Sequence, residues 1–415
     1  MNVRFLAVSG APALRERYGD ALSIGDAEAL AAHGDARVLA VGGGIPPAVR
    51  ALLREAGATL AVARDATPAG TTLVGTTRAA LERARERSAG SGAGADIVDA
   101  LLLAFARAAS PAPALRLRDR VLDLRDEARV MGIVNVTPDS FYERVDGTDA
   151  AVTTARGMAA DGAGIVDVGG QSYAAWNARV PVDEERARVV PVVRAIVTAG
   201  LDVPLSIDTF SASVADAALE AGAHIVNDCS GLSDPALPEV VAKHRAALVV
   251  MHIKGELNVR EPEKYVYRDA LAEIVGFLHE RTERAVAGGV ARDAIVIDPG
   301  LEFGKEPETD LEILERFGEL RALGYPILFA SSRKSFIGRI FDRPAGELLV
   351  PSLATAAIGI AAGARLLRVH DVPETVQLAR MLAAVAPDRR RILEFAATVP
   401  RTPRPDGNSR PAPAV

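Results

Sequence analysis

Polar side chains with chemical potential recur at the ends of short apolar runs through the second part of the chain. Asn135 closes the run 130–136 and Asp167 lies in 164–168. Asp208 follows 204–207, and Asn227 and Asp228 end 224–227. His252 ends 247–252 and Asp298 ends 294–298. Arg333 and Lys334 follow 326–330, and Arg368 and His370 belong to 365–369. Carboxylates and amides accept from the N–H edge of a flat heterocycle, and Lys, Arg and His donate to oxygen or to an anion. Asp and Asn also cap helices, so each position alone is equally well read as a cap. A succession of eight such endings argues for one shared site.

These eight runs alternate with amphipathic stretches at 183–198, 213–221, 265–287 and 310–323. That alternation is the pattern of βαβ units around a parallel sheet. The cycle takes about 260 residues, the usual size of a closed (β/α)₈ (TIM) barrel. In such a barrel every strand C-terminus opens on the same face, so the polar endings would ring a single pocket. The most apolar stretch, 348–367, carries Pro351 and Arg365 and is rich in Ala and Gly, so a barrel helix is expected there and not a membrane span.

Residues 1–108 read as a separate small α/β domain, with strands at 3–8, 37–41 and 59–63 and helices near 27–32, 47–56 and 78–87. Gly42-Gly43-Gly44 lacks both the dinucleotide spacing and the Lys-Ser/Thr of a phosphate loop. A flexible break is expected over 88–95, then a helix at 97–108 and a hairpin at 115–124 plugging the lower end of the barrel. The barrel domain is expected to span 109–395, followed by a disordered Pro-rich tail at 396–415.

The chain has 415 residues, a formal charge of -6 and no long run of Lys or Arg, which argues against a nucleic-acid partner. Its single cysteine, Cys229, excludes an intrachain disulfide framework and fits a cytoplasmic protein; it reads as an apolar pocket wall. No signal peptide or membrane segment is read in the sequence. Ser331-x-x-Lys334 matches a β-lactamase pattern but belongs to the loop after the seventh run.

Residues 131–141, Met-Gly-Ile-Val-Asn-Val-Thr-Pro-Asp-Ser-Phe, resemble the opening signature of dihydropteroate synthases. Asp167-Val168-Gly169-Gly170, Ser206-Ile207-Asp208-Thr209, Ile225-Val226-Asn227-Asp228, Met251-His252, Asp298-Pro299-Gly300 with Phe303-Gly304-Lys305, Ser332 to Gly338, and Arg368-Val369-His370-Asp371-Val372 resemble its later motifs in the same order. The resemblance covers about residues 115–390. It implies a pterin-binding barrel that joins a pterin diphosphate to an aryl amine, p-aminobenzoate in the family, during folate biosynthesis. Asp208, Asn227, Asp298 and Lys334 would hold the pterin edge, with Met251 lining its slot. Asn135, Arg368 and His370 would form the anion site, Asn135 also contacting Mg²⁺ that bridges the diphosphate. Asp167, Phe303 and Ser332 fall to substrate binding by their place in the motifs. A homodimer is likewise implied. Diphosphate would leave first, and the amine would attack the pterin methylene without a side-chain nucleophile.

Two loops depart from the family pattern. Where the second loop usually has Gly-Gly-Glu-Ser-Thr-Arg-Pro-Gly, this chain has Gly169-Gly170-Gln171-Ser172-Tyr173-Ala174-Ala175-Trp176. After Phe141 it has Tyr142-Glu143-Arg144-Val145 in place of Ser-Asp-Gly-Gly. Three readings stay open. In the first, Tyr173 and Trp176, with Arg144 or Arg179, rebuild a site for the same amine. In the second the site takes another aryl amine, and in the third the protein binds pterin without turnover.

Overall fold

The computed structural model describes residues 3–6, 37–41, 45–62, 72–88, 92–109, 112–137, 145, 147–173, 177–259, 261 and 265–385. In the N-terminal part β1 (Val3–Leu6), β2 (Arg37–Val41), β3 (Thr59–Val62) and β4 (Thr72–Thr76) form an antiparallel sheet in the order β1-β2-β4-β3. Helices α1 (Pro47–Glu55), α2 (Arg78–Arg87) and α3 (Gly92–Ala109) accompany it. Strand β4 is fully buried and was not anticipated, because Thr72-Leu73-Val74-Gly75-Thr76 is short and has no alternation. Helix α3 begins at Gly92, so the expected flexible break is narrower than 88–95. The glycine triplet and the expected helix near 27–32 lie outside the described residues.

The hairpin β5 (Ala114–Leu117) and β6 (Arg120–Asp123) leads into eight parallel strands. These are β7 (Arg129–Asn135), β8 (Ile165–Gly169), β9 (Leu205–Asp208), β10 (Ile225–Asp228), β11 (Ala247–Met251), β12 (Ile295–Asp298), β13 (Leu328–Phe329) and β14 (Leu366–Val369). Neighbours run β12-β11-β10-β9-β8-β7-β14-β13. A parallel bridge between Ile297 and Ile327 joins the two ends, with Ile297 N–H donating to Pro326 O at 3.0 Å. The barrel is closed at that seam by little more than this pairing, because β13 is only 2 residues long.

Both faces of a barrel strand are covered, which explains why β8 to β12 are buried at every position and read as continuous apolar runs. Leu115, Leu117 and Leu124 of the hairpin region share a buried cluster with Met131, Ile165, Ile225, Val249, Val296 and Leu366. They close the end of the barrel where the strands begin. Between strands the chain returns through α4 (Thr148–Ala160), α5 (Val182–Thr198), α6 (Ala212–Glu220), α7 (Leu237–Lys243), α8 (Ala270–Ala287), α9 (Pro307–Arg316), α10 (Ser335–Phe341) and α11 (Leu349–Ala362), and ends in α12 (Val372–Val385). Ser211 and Asp269 cap α6 and α8 by accepting from Val214 N–H and Ala272 N–H.

The expected single helix at 310–323 is instead α9 followed by a 3-10 stretch, Phe317–Leu323. Ala322 of that stretch belongs to the same buried cluster as Leu101, Ala104 and Phe105 of α3, so the N-terminal elements rest on this part of the barrel. Helix α11 packs Gly359 on Phe329, where a Cβ would lie 2.9 Å from the ring. Among the described residues no helix is long and apolar enough to cross a membrane.

Candidate active site

The open end of the barrel holds a cavity of about 760 Å³. Asn135, Asp208, Asn227, Asp298, Lys334, Arg368 and His370 of the strand endings line it, together with Met251, Phe303 and Tyr173. Trp176 lies outside the described residues, as does Arg144.

Arg368 organises the floor. Its Nε donates to Asp167 Oδ2 and its Nη2 to Asp208 Oδ2, each at 2.7 Å. Asn227 Nδ2 donates to the same Asp167 oxygen at 3.2 Å, and Cys229 Sγ to Asp208 Oδ1 at 3.3 Å. Burial works against the charge of Arg368, but Asp167 and Asp208 more than offset it and hold its pKa above the ordinary value. Burial raises the pKa of Asp208 against the opposing charge of Arg368. Burial likewise raises that of Asp298, with Lys334 opposing. These carboxylates are held in dry surroundings where a ligand with N–H donors would favour their charged form.

On the other side, Asp298 Oδ1 accepts from Gly300 N–H at 2.7 Å and Lys334 Nζ donates to Leu301 O at 2.7 Å. Lys334 also stands 5.0 Å from the centre of the Phe303 ring. Gly300 must be glycine: its φ is +66° and a Cβ would fall 2.0 Å from His252 O. The buried Lys305 ammonium donates to Gly300 O at 2.6 Å and Phe303 O at 2.9 Å, and sits 3.0 Å from His252 Nδ1. Burial lowers its pKa.

The structure corrects several sequence expectations. Asp167 does not line the cavity; it is fully buried behind Arg368 and orients that guanidinium and Asn227. Ser332 is also set back, its Oγ accepting from His370 N–H at 3.2 Å. His252 turns away to Lys305 and packs edge-on against Phe277. Arg333 reaches the cavity edge, but its guanidinium binds Asp371 at 2.6 and 2.9 Å and the carbonyls of Ala345 and Gly346. Asp228 caps its own turn through Ser230 and Leu232. His370 does line the cavity, but burial, with Arg368 and Arg333 adding, lowers its pKa to about 3. It enters the site as a neutral imidazole, a hydrogen-bonding group and not a second cation.

The rewritten second loop is pinned where it is described. Tyr173 OH donates to Asp208 O at 3.3 Å, its ring lies 5.9 Å from that of Phe210, and the Arg179 guanidinium covers Phe210 at 4.8 Å. Asn258 Nδ2 donates to Ser172 O at 2.9 Å, and Gln171 Nε2 to the buried Glu185 at 2.9 Å. Sequence reasoning missed Asn258, Glu256 and Tyr265, which line the cavity from the loop after β11. They carry no strand-end signal that could have marked them.

The cavity thus sets carboxylates, an amide and a lysine around the Arg368 guanidinium in a parallel barrel. A family model described as pterin binding enzyme matches residues 131–370. The chain is 40% identical over 274 residues to the dihydropteroate synthase of Bacillus subtilis (strain 168), covering 65% of this chain and 93% of that one. It is 41% identical over 266 residues to the inactive dihydropteroate synthase 2 of Mycobacterium tuberculosis, covering 63% of this chain and 83% of that one. The structure is similar to that of the dihydropteroate synthase of Thermus thermophilus in complex with 4-aminobenzoate, with a TM-score of 0.59 and 39% identity over 66% of this chain and 99% of that one. This chain belongs to the dihydropteroate synthase family.

Proposed function

We propose that this protein is an active dihydropteroate synthase, condensing 6-hydroxymethyl-7,8-dihydropterin diphosphate with p-aminobenzoate to 7,8-dihydropteroate and diphosphate. The observation that carries the reading is the convergence of Asp208, Asn227, Asp298 and Lys334 with Arg368 and His370 on one cavity. Asp208, Asn227 and Asp298 accept from the pterin's amino and ring N–H groups, and Lys334 donates to its oxo group. Met251 and Phe303 supply apolar walls for the ring.

Arg368 and His370 lie where charge grows on the leaving diphosphate, and Arg368 neutralises it. The C–O bond to diphosphate breaks with its electron pair going to oxygen. The amine nitrogen then forms the C–N bond and gives up a proton. Binding and orientation by the floor residues are what the protein contributes to both steps.

Mg²⁺ belongs to the same reading. Asn135 ends β7 at the cavity. A single hard oxygen donor beside an anion site fits an ion that keeps waters and substrate oxygens as its other ligands. Asn135 would hold it, and it would supply charge neutralisation on the diphosphate. The reading extends to a small N-terminal domain over residues 1–108 with no part in the chemistry, a homodimer and a cytoplasmic location.

A second reading, pterin binding without turnover, is favoured by one observation: the mycobacterial relative named as inactive is 41% identical to this chain, against 40% for the Bacillus dihydropteroate synthase. Incubation with the pterin diphosphate and p-aminobenzoate, followed by mass spectrometry for dihydropteroate, decides between them. Product formation supports the first reading, and its absence from protein that binds the pterin diphosphate supports the second.

A further inference from the structure

Two successive residues of the loop after β12 accept hydrogen bonds from three successive residues that follow β13. Lys334 donates its ammonium to Leu301 O at 2.7 Å. The Glu302 carboxylate accepts from Ser335 Oγ at 2.8 Å and Phe336 N–H at 2.7 Å. This contact costs Glu302 a strained backbone conformation. Its φ is +71°, in the left-handed region that a side chain disfavours, and it stands between two glycines of the same sign, Gly300 at +66° and Gly304 at +68°. Strain of this kind persists where surrounding contacts fix it, and here it faces the cavity.

The consequence falls on Lys334. A lysine has four rotatable bonds, and nothing in its own loop fixes where the ammonium points. The bonds from Glu302 fasten Ser335 and Phe336, the start of α10, against the loop after β12. That loop supplies Leu301 O to the ammonium and the Phe303 ring beneath it. Asp298 ends β12 where that loop begins, so the latch also fixes the spacing between the carboxylate and the ammonium across the cavity. Glu302 itself remains partly open at the rim.

We propose that Glu302 is a positioning residue for pterin recognition, latching the β12 and β13 loops together so that Lys334 and Asp298 meet the pterin edge in one fixed geometry. The proposal rests on the assignment of Lys334 to that edge.

The test compares Glu302→Ala, Glu302→Gly and Glu302→Gln with Lys334→Ala, by calorimetric titration of the pterin diphosphate and by thermal melting. The alanine and glycine variants are expected to bind about tenfold more weakly, the loss of hydrogen bonds to a charged group. The glutamine variant, which keeps the acceptor, is expected within about threefold of the parent. Glu302→Gly is expected to melt above Glu302→Ala, because glycine suits a positive φ, and yet to bind no better. That separation of stability from affinity is what a purely structural role would not give.

Parent affinity in folded Glu302→Ala, or recovery of affinity in Glu302→Gly, overturns the proposal. Should Glu302→Ala not fold, the glycine and glutamine variants carry the same decision. If Lys334→Ala binds weakly while all Glu302 variants bind as the parent does, only the latch fails. If Lys334→Ala binds as the parent does, the assignment of the pterin edge fails and the latch with it.

Discussion

Arg368 and Asp208 stand 160 residues apart in sequence and meet at 2.7 Å through Nη2 and Oδ2 on the floor of the barrel. Asp167 takes the other side of the guanidinium at the same distance. Arg368 is therefore shared between two duties, support of a pterin-binding carboxylate and neutralisation of diphosphate. Removing it strands two buried carboxylates. Arg368→Ala is expected to lower the free energy of unfolding by about 3 kcal/mol, measured by urea denaturation. It is also expected to weaken bare pterin as well as the diphosphate substrate, so His370→Ala is the cleaner probe of diphosphate recognition. That variant should lose affinity for the pterin diphosphate and keep it for the unphosphorylated pterin.

Asp298→Ala and Lys334→Ala each leave a partner group in dry surroundings without its ligand contact. Each is expected to weaken pterin binding by about 1–3 kcal/mol in calorimetric titration. Unchanged affinity in both would remove them from the site.

His224 sits at the barrel's lower end, its Nδ1 accepting from Leu205 N–H at 3.3 Å, and burial, with Arg120 and Arg118 adding, lowers its pKa to about 4. The unfolded chain takes up a proton near pH 6.5 and the folded protein only near pH 4. The stability contributed is thus present above about pH 6.5 and lost as pH falls toward about 4. In His224→Asn the fall in stability between pH 7 and pH 4.5 should be smaller than in the parent by about 1 kcal/mol, after allowance for solvent screening. An equal fall in stability for the variant and the parent, from urea denaturation at the two pH values, would show that this imidazole does not carry the effect.

A chain beginning at Ser110 keeps every residue that lines the cavity, and is expected to retain its chemistry. It also uncovers the Ala322 surface on which α3 rests, so a melting temperature lower by a few degrees is expected, equivalent to about 1 kcal/mol. Loss of activity in a truncation that is well folded by circular dichroism would give the N-terminal elements a part in the site.

The barrel was legible because most of its strands are buried on both faces and polar residues fall at or just past their ends, which leaves both a run and a terminus in the sequence. Asp208, Asn227, Asp298, Lys334, Arg368 and His370 were found by that signal and do face one cavity. The same signal over-reached at His252, Asp228 and Arg333, because a strand end also supplies caps and ion pairs. Asp167 and Ser332 belong to the motifs but work from behind the residues that touch the cavity. Glu302 was not legible: the meaning of a glutamate at a positive φ depends on a backbone conformation and on partners 33 and 34 residues away. The neutrality of His370 was equally hidden, since burial and two neighbouring guanidinium groups determine it.

Tyr173 and Arg179, in the described part of the second loop, stack about Phe210 beside Asp208. Tyr173→Ala should raise the Michaelis constant for the amine about tenfold, about 1.4 kcal/mol, while pterin affinity, held by the floor, stays nearly constant. Sulfonamides, which mimic p-aminobenzoate, are expected to inhibit weakly, because the arginine and proline of the usual lid are absent. Tight inhibition of the unaltered protein would show that the ordinary amine pocket survives.

Turnover at this site, as distinct from binding alone, is tested most directly by diphosphate release. The substrate is 6-hydroxymethyl-7,8-dihydropterin diphosphate, with p-aminobenzoate and a panel of other anilines in the presence of Mg²⁺. Release that depends on the concentration of an aniline, and is abolished in Lys334→Ala, is the expected result. No release with any aniline, from protein shown by calorimetry to bind the pterin diphosphate tightly, would contradict it.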